Sequence, residues 1–194
     1  KSVVGGRAML FITGGGPINP DIQNFISVMI GVPLIQGYAL TETCCAGTIQ
    51  PHWSAENGIV GPPLTCNEIR LNNCSEVKDR ADNPYLNTDM KHLDQKCDGR
   101  GEVWVRGDCV SAGYYIMEEK TRESFTDDGW FRTGDIAIWT KNGNLKIVDR
   151  LKNLIKLKGG EYIAIESMES TYANAVFVNG RNGGLLCYGS GDMD

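Results

Sequence analysis

The chain has 194 residues, 41% hydrophobic and 22% charged, with a formal net charge of -5. That length suits one soluble domain, or one domain with part of another, and the acidic balance excludes a nucleic-acid surface, which needs clustered excess Lys and Arg. Seven cysteines, odd in number and without a C-x-x-C pair, argue against zinc and a disulfide framework and for an intracellular, reducing compartment.

Ala8 to Ile12 is a short apolar run ending in Thr13-Gly14-Gly15-Gly16-Pro17. A run of this kind, buried on both faces, predicts a parallel strand feeding a tight loop. A helix follows. Asn19 suits its cap, Pro20 its first position and Asp21 the positive end of its dipole. Ile22, Phe25, Ile26, Met29 and Ile30 fall on one face, and Gly31 ends it. A second strand, Leu34-Ile35-Gln36, runs into Gly37-Tyr38. Strand–loop–helix–strand–loop is an α/β unit, and ligands of such sheets sit beyond the carboxyl ends of the strands. Residues 1–60 are therefore assigned to an α/β subdomain.

Gly61-Pro62-Pro63 then breaks the chain. Glu68 to Leu71 and Glu102 to Arg106 alternate like strands, and the polar, turn-rich stretch 72–100 between them predicts a surface excursion. Met117 to Phe125 is helical. Ile136 to Trp139, an Asn142-Gly143 turn and Leu145 to Val148 predict a hairpin. Short strands with glycine corners over 61–150 predict a small antiparallel barrel. From 151 onward a basic strand, a Gly159-Gly160 turn, a helix at Glu166 to Tyr172 and an apolar strand at Ala175 to Val178 predict the start of a truncated second domain. No apolar run approaches the roughly 18–20 residues of a membrane span.

Each candidate site has two readings. Thr13 to Pro17 is either a turn or a loop whose N–H groups approach an anion; it lacks the Gly-Lys-Ser/Thr ending of a P-loop. In Gly37-Tyr38-Ala39-Leu40-Thr41-Glu42-Thr43, the Tyr38 ring can stack on a base. Thr41 and Glu42 offer the hard oxygens Mg²⁺ prefers, or else they are a helix cap and a first-turn acid. Asp135, in Gly129-Trp130-Phe131-Arg132-Thr133-Gly134-Asp135, can accept two hydrogen bonds from ribose hydroxyls or can make an Asx turn. Asp149-Arg150 closes the hairpin that Asp135 opens, so Arg150 should lie beside Asp135, as a ligand clamp or a surface ion pair. Lys141, Lys146, Arg150, Lys152, Lys156 and Lys158 make 141–158 locally basic, with Asp149 interrupting; Lys152, Lys156 and Lys158 also fit a solvent-facing strand edge. His52 and His92 each stand alone in polar sequence, without triad or metal-ligand spacing.

Taken in order, Thr13-Gly14-Gly15-Gly16-Pro17, Gly37 to Glu42, Gly101-Glu102 with Val105-Arg106-Gly107 and Gly113-Tyr114-Tyr115, Gly129 to Asp135, and Asp149 to Lys156 resemble the adenylate-forming superfamily of acyl-CoA synthetases, luciferase and adenylation domains. Lys158-Gly159-Gly160-Glu161-Tyr162-Ile163-Ala164 with Glu166 is similar to the eukaryotic long-chain fatty acyl-CoA synthetases. The resemblance covers nearly the whole chain. It implies an α/β class: the C-terminal part of the large domain, with the parallel unit and barrel, then a hinge and the start of the small C-terminal domain at 151–194. It also implies an ATP-dependent ligase that converts a long-chain fatty acid to acyl-AMP and then, with coenzyme A, to acyl-CoA. By motif position, Gly15, Gly16, Gly37 and Tyr38 would hold adenine, Thr41 the α-phosphate and Glu42 Mg²⁺. Asp135 and Arg150 would grip the ribose with Ile147 packing nearby, and Lys152 would be the hinge. Lys156, Gly159 and Gly160 would swing in for thioester formation.

Ala39 stands where the family often has glycine, Gly16 where it often has alanine, and Ile165 where it often has proline. The Ser/Thr/Gly-rich phosphate loop and the C-terminal adenylation lysine are not in these residues, so the expectation is an incomplete piece that does not complete the reaction alone. The partners expected are the fatty acid, ATP and CoA, with peripheral membrane association left to other regions and a cytoplasmic or organelle-surface location. Two alternatives stay open: a ligase of the same superfamily for a shorter acyl or aryl acid, and a non-catalytic nucleotide-binding module.

Overall fold

The computed structural model describes residues 4–79, 82–156 and 162–164. Its first part is a three-stranded sheet in the order β1 (Phe11–Thr13), β2 (Leu34–Tyr38), β3 (Thr48–Ile49). β1 and β2 run parallel, with Phe11 opposite Leu34 and Thr13 opposite Gln36. The helix α1 (Pro20–Ile30) connects them as anticipated. Asn19 Oδ1 accepts from the Asp21 N–H at 2.8 Å, and Gly31 ends the helix at φ 67°, a left-handed value glycine adopts without a Cβ penalty.

The packing of this unit differs from the sequence expectation. Among the described residues β1 is paired on one side, by β2, and Met9, Leu10 and Ile12 are exposed, in contrast to a strand buried on both faces. The stripe of α1 carrying Ile22, Phe25 and Met29 is exposed too, and the buried residue of the helix is Gln23. Gln23 Nε2 donates to the Leu34 carbonyl and to Gln50 Oε1, both at 2.8 Å, and Gln50 Oε1 also accepts from the Gln36 N–H at 3.0 Å. The helix is thus pinned to β2 by an amide relay through Gln23 Nε2, which an apolar-periodicity argument does not register, while the buried Gln23 Oε1 has no hydrogen-bond partner among the described residues.

The second part is antiparallel. β4 (Asn67–Asn72), β8 (Gln95–Gly107), β9 (Phe131–Thr140) and β10 (Leu145–Arg150) are hydrogen-bonded in the order β10-β9-β8-β4. Gly61 bridges Leu145 just before the chain enters β4, so the segment that seams β10 also rejoins β8, and the sheet curls as a barrel-like unit. Gly61 sits at φ 84° with its Cβ direction 2.0 Å from the Ile49 carbonyl oxygen, which leaves no room for a side chain. Inside the curl, Val60, Leu71, Val103, Val105, Ala137 and Leu145 form one apolar cluster. α2 (Glu118–Ser124) interrupts between β8 and β9.

Residues 72–100 are not a surface excursion. β5 (Cys74–Lys78) pairs with β6 (Pro84–Tyr85), and β7 (Lys91–His92) pairs with the start of β8. Cys74, Val77 and Tyr85 pack with Ile136 in a second core. Its charge is buried in pairs: Arg100 contacts Asp79 and Asp89 at 2.6 Å each and donates to the Pro84 carbonyl at 2.9 Å. Most other polar residues of this stretch are exposed, but Asp79 and Arg100 are buried, where charges persist when paired and hydrogen-bonded. His92, expected to stand alone, lies 3.3 Å from Arg100 and beside the Tyr85 ring. Burial and then Arg100 lower its pKa to about 4.

After β10, Leu151–Asn153 form a 3-10 turn, followed by β11 (Leu154–Lys156) paired with β12 (Tyr162–Ala164). The helix and strand expected beyond 165 lie outside the described residues.

Candidate functional site

The carboxyl ends of β1 and β2 lie side by side, with the Cβ direction of Gly14 3.2 Å from the Gly37 carbonyl oxygen. Gly15 adopts φ 85°, and nothing stands within 4 Å of the Cβ directions of Gly15 or Gly16. These two peptides therefore present open backbone, which a flat ligand can approach. Gly37 is wedged inside β2, with its Cβ direction 3.4 Å from the Thr48 carbonyl oxygen. Gly47 is tighter still: a Cβ there would sit 2.1 Å from the Tyr38 carbonyl oxygen.

Tyr38 joins the two halves of the molecule. Its half-buried ring packs on the Val60–Leu145 cluster, and its phenol donates to Asp135 Oδ2 at 2.7 Å. Burial, then the Asp135 carboxylate, hold the Tyr38 pKa well above 10.0, so it remains a donor across the physiological range. Arg150 stands directly opposite Asp135 across β9 and β10, with Nε 3.3 Å from Oδ1. Both Asp135 oxygens thus have a partner. The Asp135 side chain is 4% exposed and the Arg150 side chain 47% exposed, so the pair opens to solvent on the guanidinium side. Ile147 packs against the same core cluster as Tyr38, just before the bulge at Ile147/Asp149.

The Gly134-Asp135 turn is held from β8. Gly134 N–H donates to Glu102 Oε1 at 3.1 Å, and Asp135 N–H donates to the Thr133 hydroxyl at 3.1 Å. Thr133 in turn donates to the Val103 carbonyl at 2.8 Å. Sequence reasoning quoted Thr133 and Glu102 as motif letters without giving them work; their function follows from a cross-strand register it did not derive.

Thr41 to Thr43 form a 3-10 turn. The capping hydroxyl is that of Thr43, which accepts from the Leu40 N–H at 3.2 Å and is fully buried. Thr41 is exposed, and Glu42 is half-buried. Glu42 Oε1 accepts from the Tyr114 phenol at 2.7 Å, and the Glu42 carbonyl accepts from the Ser111 N–H at 2.8 Å. No group of three or more His, Cys, Asp or Glu able to hold a metal occurs among the described residues. One carboxylate beside an exposed hydroxyl still suits Mg²⁺, which commonly takes one or two carboxylates and completes its shell with waters and phosphate oxygens.

Lys152 is exposed in the 3-10 turn directly after Arg150, so it is not on a strand edge. Lys156 ends β11 opposite Tyr162. Gly159, Gly160 and Lys158 lie outside the described residues. The structure thus brings Gly37, Tyr38, Asp135, Arg150 and Ile147 into one region, while Glu42 is held by a different partner, the 111–114 segment.

The profile of the AMP-binding enzyme family matches residues 3–115. Long-chain-fatty-acid–CoA ligase 1 of Saccharomyces cerevisiae is 40% identical over 178 residues, covering 92% of this chain and 23% of the relative. Long chain acyl-CoA synthetase 7, peroxisomal, of Arabidopsis thaliana is 38% identical over 180 residues, covering 92% and 24%. The chain spans about a quarter of the length of these curated relatives. Among solved structures, the A domain of the carboxylic acid reductase from Segniliparus rugosus, in complex with AMP and a co-purified carboxylic acid, superposes with a TM-score of 0.68 at 30% identity, over 88% of this chain and 24% of that one. ATP-bound MatB from Rhodopseudomonas palustris superposes with a TM-score of 0.65 at 29% identity, over 86% and 30%.

Proposed function

The chain belongs to the AMP-binding enzyme family, and from that premise we propose that it is the nucleotide-reading part of a long-chain fatty acid–CoA ligase. In this reading adenine lies against the open peptides of Gly15 and Gly16, with Gly37 and Tyr38 flanking it. The ribose hydroxyls take over hydrogen bonds at Asp135, helped by Arg150, whose side chain is half exposed. Thr41 faces the α-phosphate. The residue that would hold Mg²⁺ is Glu42, and the ion would supply charge neutralisation at the phosphates. The fatty carboxylate displaces pyrophosphate at the α-phosphorus, and the CoA thiol then displaces AMP. Such displacements depend on positioning and charge stabilisation more than on a protein nucleophile, in keeping with a site built from hydrogen-bonding groups. Lys152 is proposed as the hinge, and Lys156 with Gly159 and Gly160 as the segment serving thioester formation.

The boundaries at 60 and 150 are proposed as subdomain limits, with the Tyr38–Asp135 hydrogen bond crossing the first. An intracellular location is proposed as well. Among the described residues no helix is long and apolar enough to cross a membrane, and any peripheral attachment is assigned to other parts of the protein.

The observation that carries the reading is the Tyr38–Asp135–Arg150 constellation beside the open glycine loop. Its test is Asp135→Ala in the full-length protein, assayed by ATP–pyrophosphate exchange with a panel of acids from short to long chain. Hydrogen bonds to a charged group are worth about 1.5–3 kcal/mol, so apparent ATP affinity should fall roughly tenfold or more. Unchanged exchange would remove Asp135 from the nucleotide site. Exchange by the unsubstituted protein with short or aryl acids alone would replace the long-chain assignment.

A further inference from the structure

Tyr114 has no part in the reaction as described above, yet it makes a 2.7 Å hydrogen bond to Glu42, 72 residues earlier in sequence. Several contacts aim it there. Its N–H donates to the Thr121 hydroxyl at 2.9 Å, and that hydroxyl donates to the Met117 carbonyl at 2.9 Å. Gly113 has φ 138°, and a Cβ there would come within 2.5 Å of the Thr121 methyl group. The ring meets Phe125 edge-on at 5.8 Å between centroids, and Lys120 Nζ lies 4.8 Å from its centroid. The backbone is stitched to the same place, since the Ser111 N–H holds the Glu42 carbonyl. Main chain and side chain of Glu42 are thus clamped by one short segment between β8 and α2.

We infer that Tyr114 is a positioning residue for the Glu42 carboxylate, occupying Oε1 and thereby presenting Oε2 to a divalent cation. The inference rests on the assignment of Glu42 as the Mg²⁺ carboxylate made above. Oε2 receives no hydrogen bond among the described residues, so it is the oxygen left for a ligand. A glutamate side chain loses rotamer freedom when it binds a cation, and a fixed carboxylate has already lost part of it. The clamp should therefore act on metal affinity and leave the rate at saturating metal nearly unchanged.

The test compares three variants of the full-length protein by ATP–pyrophosphate exchange, titrated with MgCl₂ at fixed ATP. Tyr114→Phe keeps the ring contacts with Phe125 and Lys120, so its thermal midpoint should match the unsubstituted protein. Its half-saturating Mg²⁺ concentration should rise about fivefold or more, with the rate at saturating Mg²⁺ restored, as expected from loss of one hydrogen bond to a charged group. Tyr115→Phe alters an exposed neighbour outside the clamp and should leave the titration unchanged. Glu42→Gln separates the two levels. If it leaves the Mg²⁺ dependence intact, the metal assignment itself fails; if it abolishes the dependence while Tyr114→Phe has none or a tightened one, only the positioning role fails. Gly113→Ala pushes Thr121 without removing the phenol, and a normal Mg²⁺ titration in that variant would also overturn the clamp.

Discussion

Two guanidinium–carboxylate clusters in this molecule use the same chemistry for opposite ends. Arg100 is 4% exposed, and its partner Asp79 is 6% exposed; Asp89, Pro84 and the Tyr85 ring complete the surround. Arg150 meets an equally buried carboxylate, Asp135, but remains open to solvent along its own side chain. In the first cluster burial works against the Arg100 charge, and the hydrogen bonds to Asp79 and Asp89 outweigh it and raise the pKa. A closed pair holds its partners in place because releasing either one strands a buried charge. The Asp135–Arg150 pair is closed on its carboxylate side and open on its guanidinium side.

The contrast is broken or sharpened by substitution. Arg100→Met should have the largest effect, lowering unfolding stability by about 3–5 kcal/mol, because it removes the cation paired with the buried Asp79 and the partly exposed Asp89. A urea unfolding midpoint close to that of the unsubstituted protein would show that the cluster is not closed. Arg150→Met should cost less than Arg100→Met, about 1–3 kcal/mol, because the buried Asp135 carboxylate loses its cation but keeps the Tyr38 phenol. Apparent ATP affinity should nevertheless fall about tenfold if Arg150 helps grip the nucleotide. A loss of stability as large as that of Arg100→Met would erase the distinction between the clusters.

A further expected effect concerns pH. Burial and the nearby Arg100 hold His92 at about 4 in the folded chain, against 6.5 for the free side chain. The unfolded chain therefore takes up a proton first as pH falls. The His92 contribution is fully present above about pH 6.5 and is lost as pH drops towards 4. His92→Gln should flatten the dependence of the unfolding midpoint in that interval and leave it unaltered above pH 7. An unchanged slope between pH 4 and 6.5 would mean that His92 is solvated.

Much of the geometry of the candidate site was legible because its residues sit in short motifs with their own local signals. Asn19, Pro20 and Gly31 marked α1, and the Asn142-Gly143 turn marked the β9–β10 hairpin and hence the meeting of Asp135 with Arg150. The role of residues 72–100 was hidden, because Asp79, Asp89 and Arg100 each look like surface residues when read alone. The side by which α1 meets the sheet was likewise not legible. Its stripe of Ile22, Phe25 and Met29 is the apolar face, yet the contact that pins it is the Gln23–Gln50 relay.

By itself, the sequence determined the succession of elements and the ordered motifs that mark the family, since caps, turns and alternation act over a few residues. Only the tertiary structure decided the partners of polar groups that lie far apart in the chain. Tyr38 reaches Asp135 across 97 residues, Tyr114 reaches Glu42 across 72, and Arg100 reaches Asp79 across 21. A hydrogen bond is satisfied by position and not by sequence distance, so these pairings exist only once the sheets bring their strands into register.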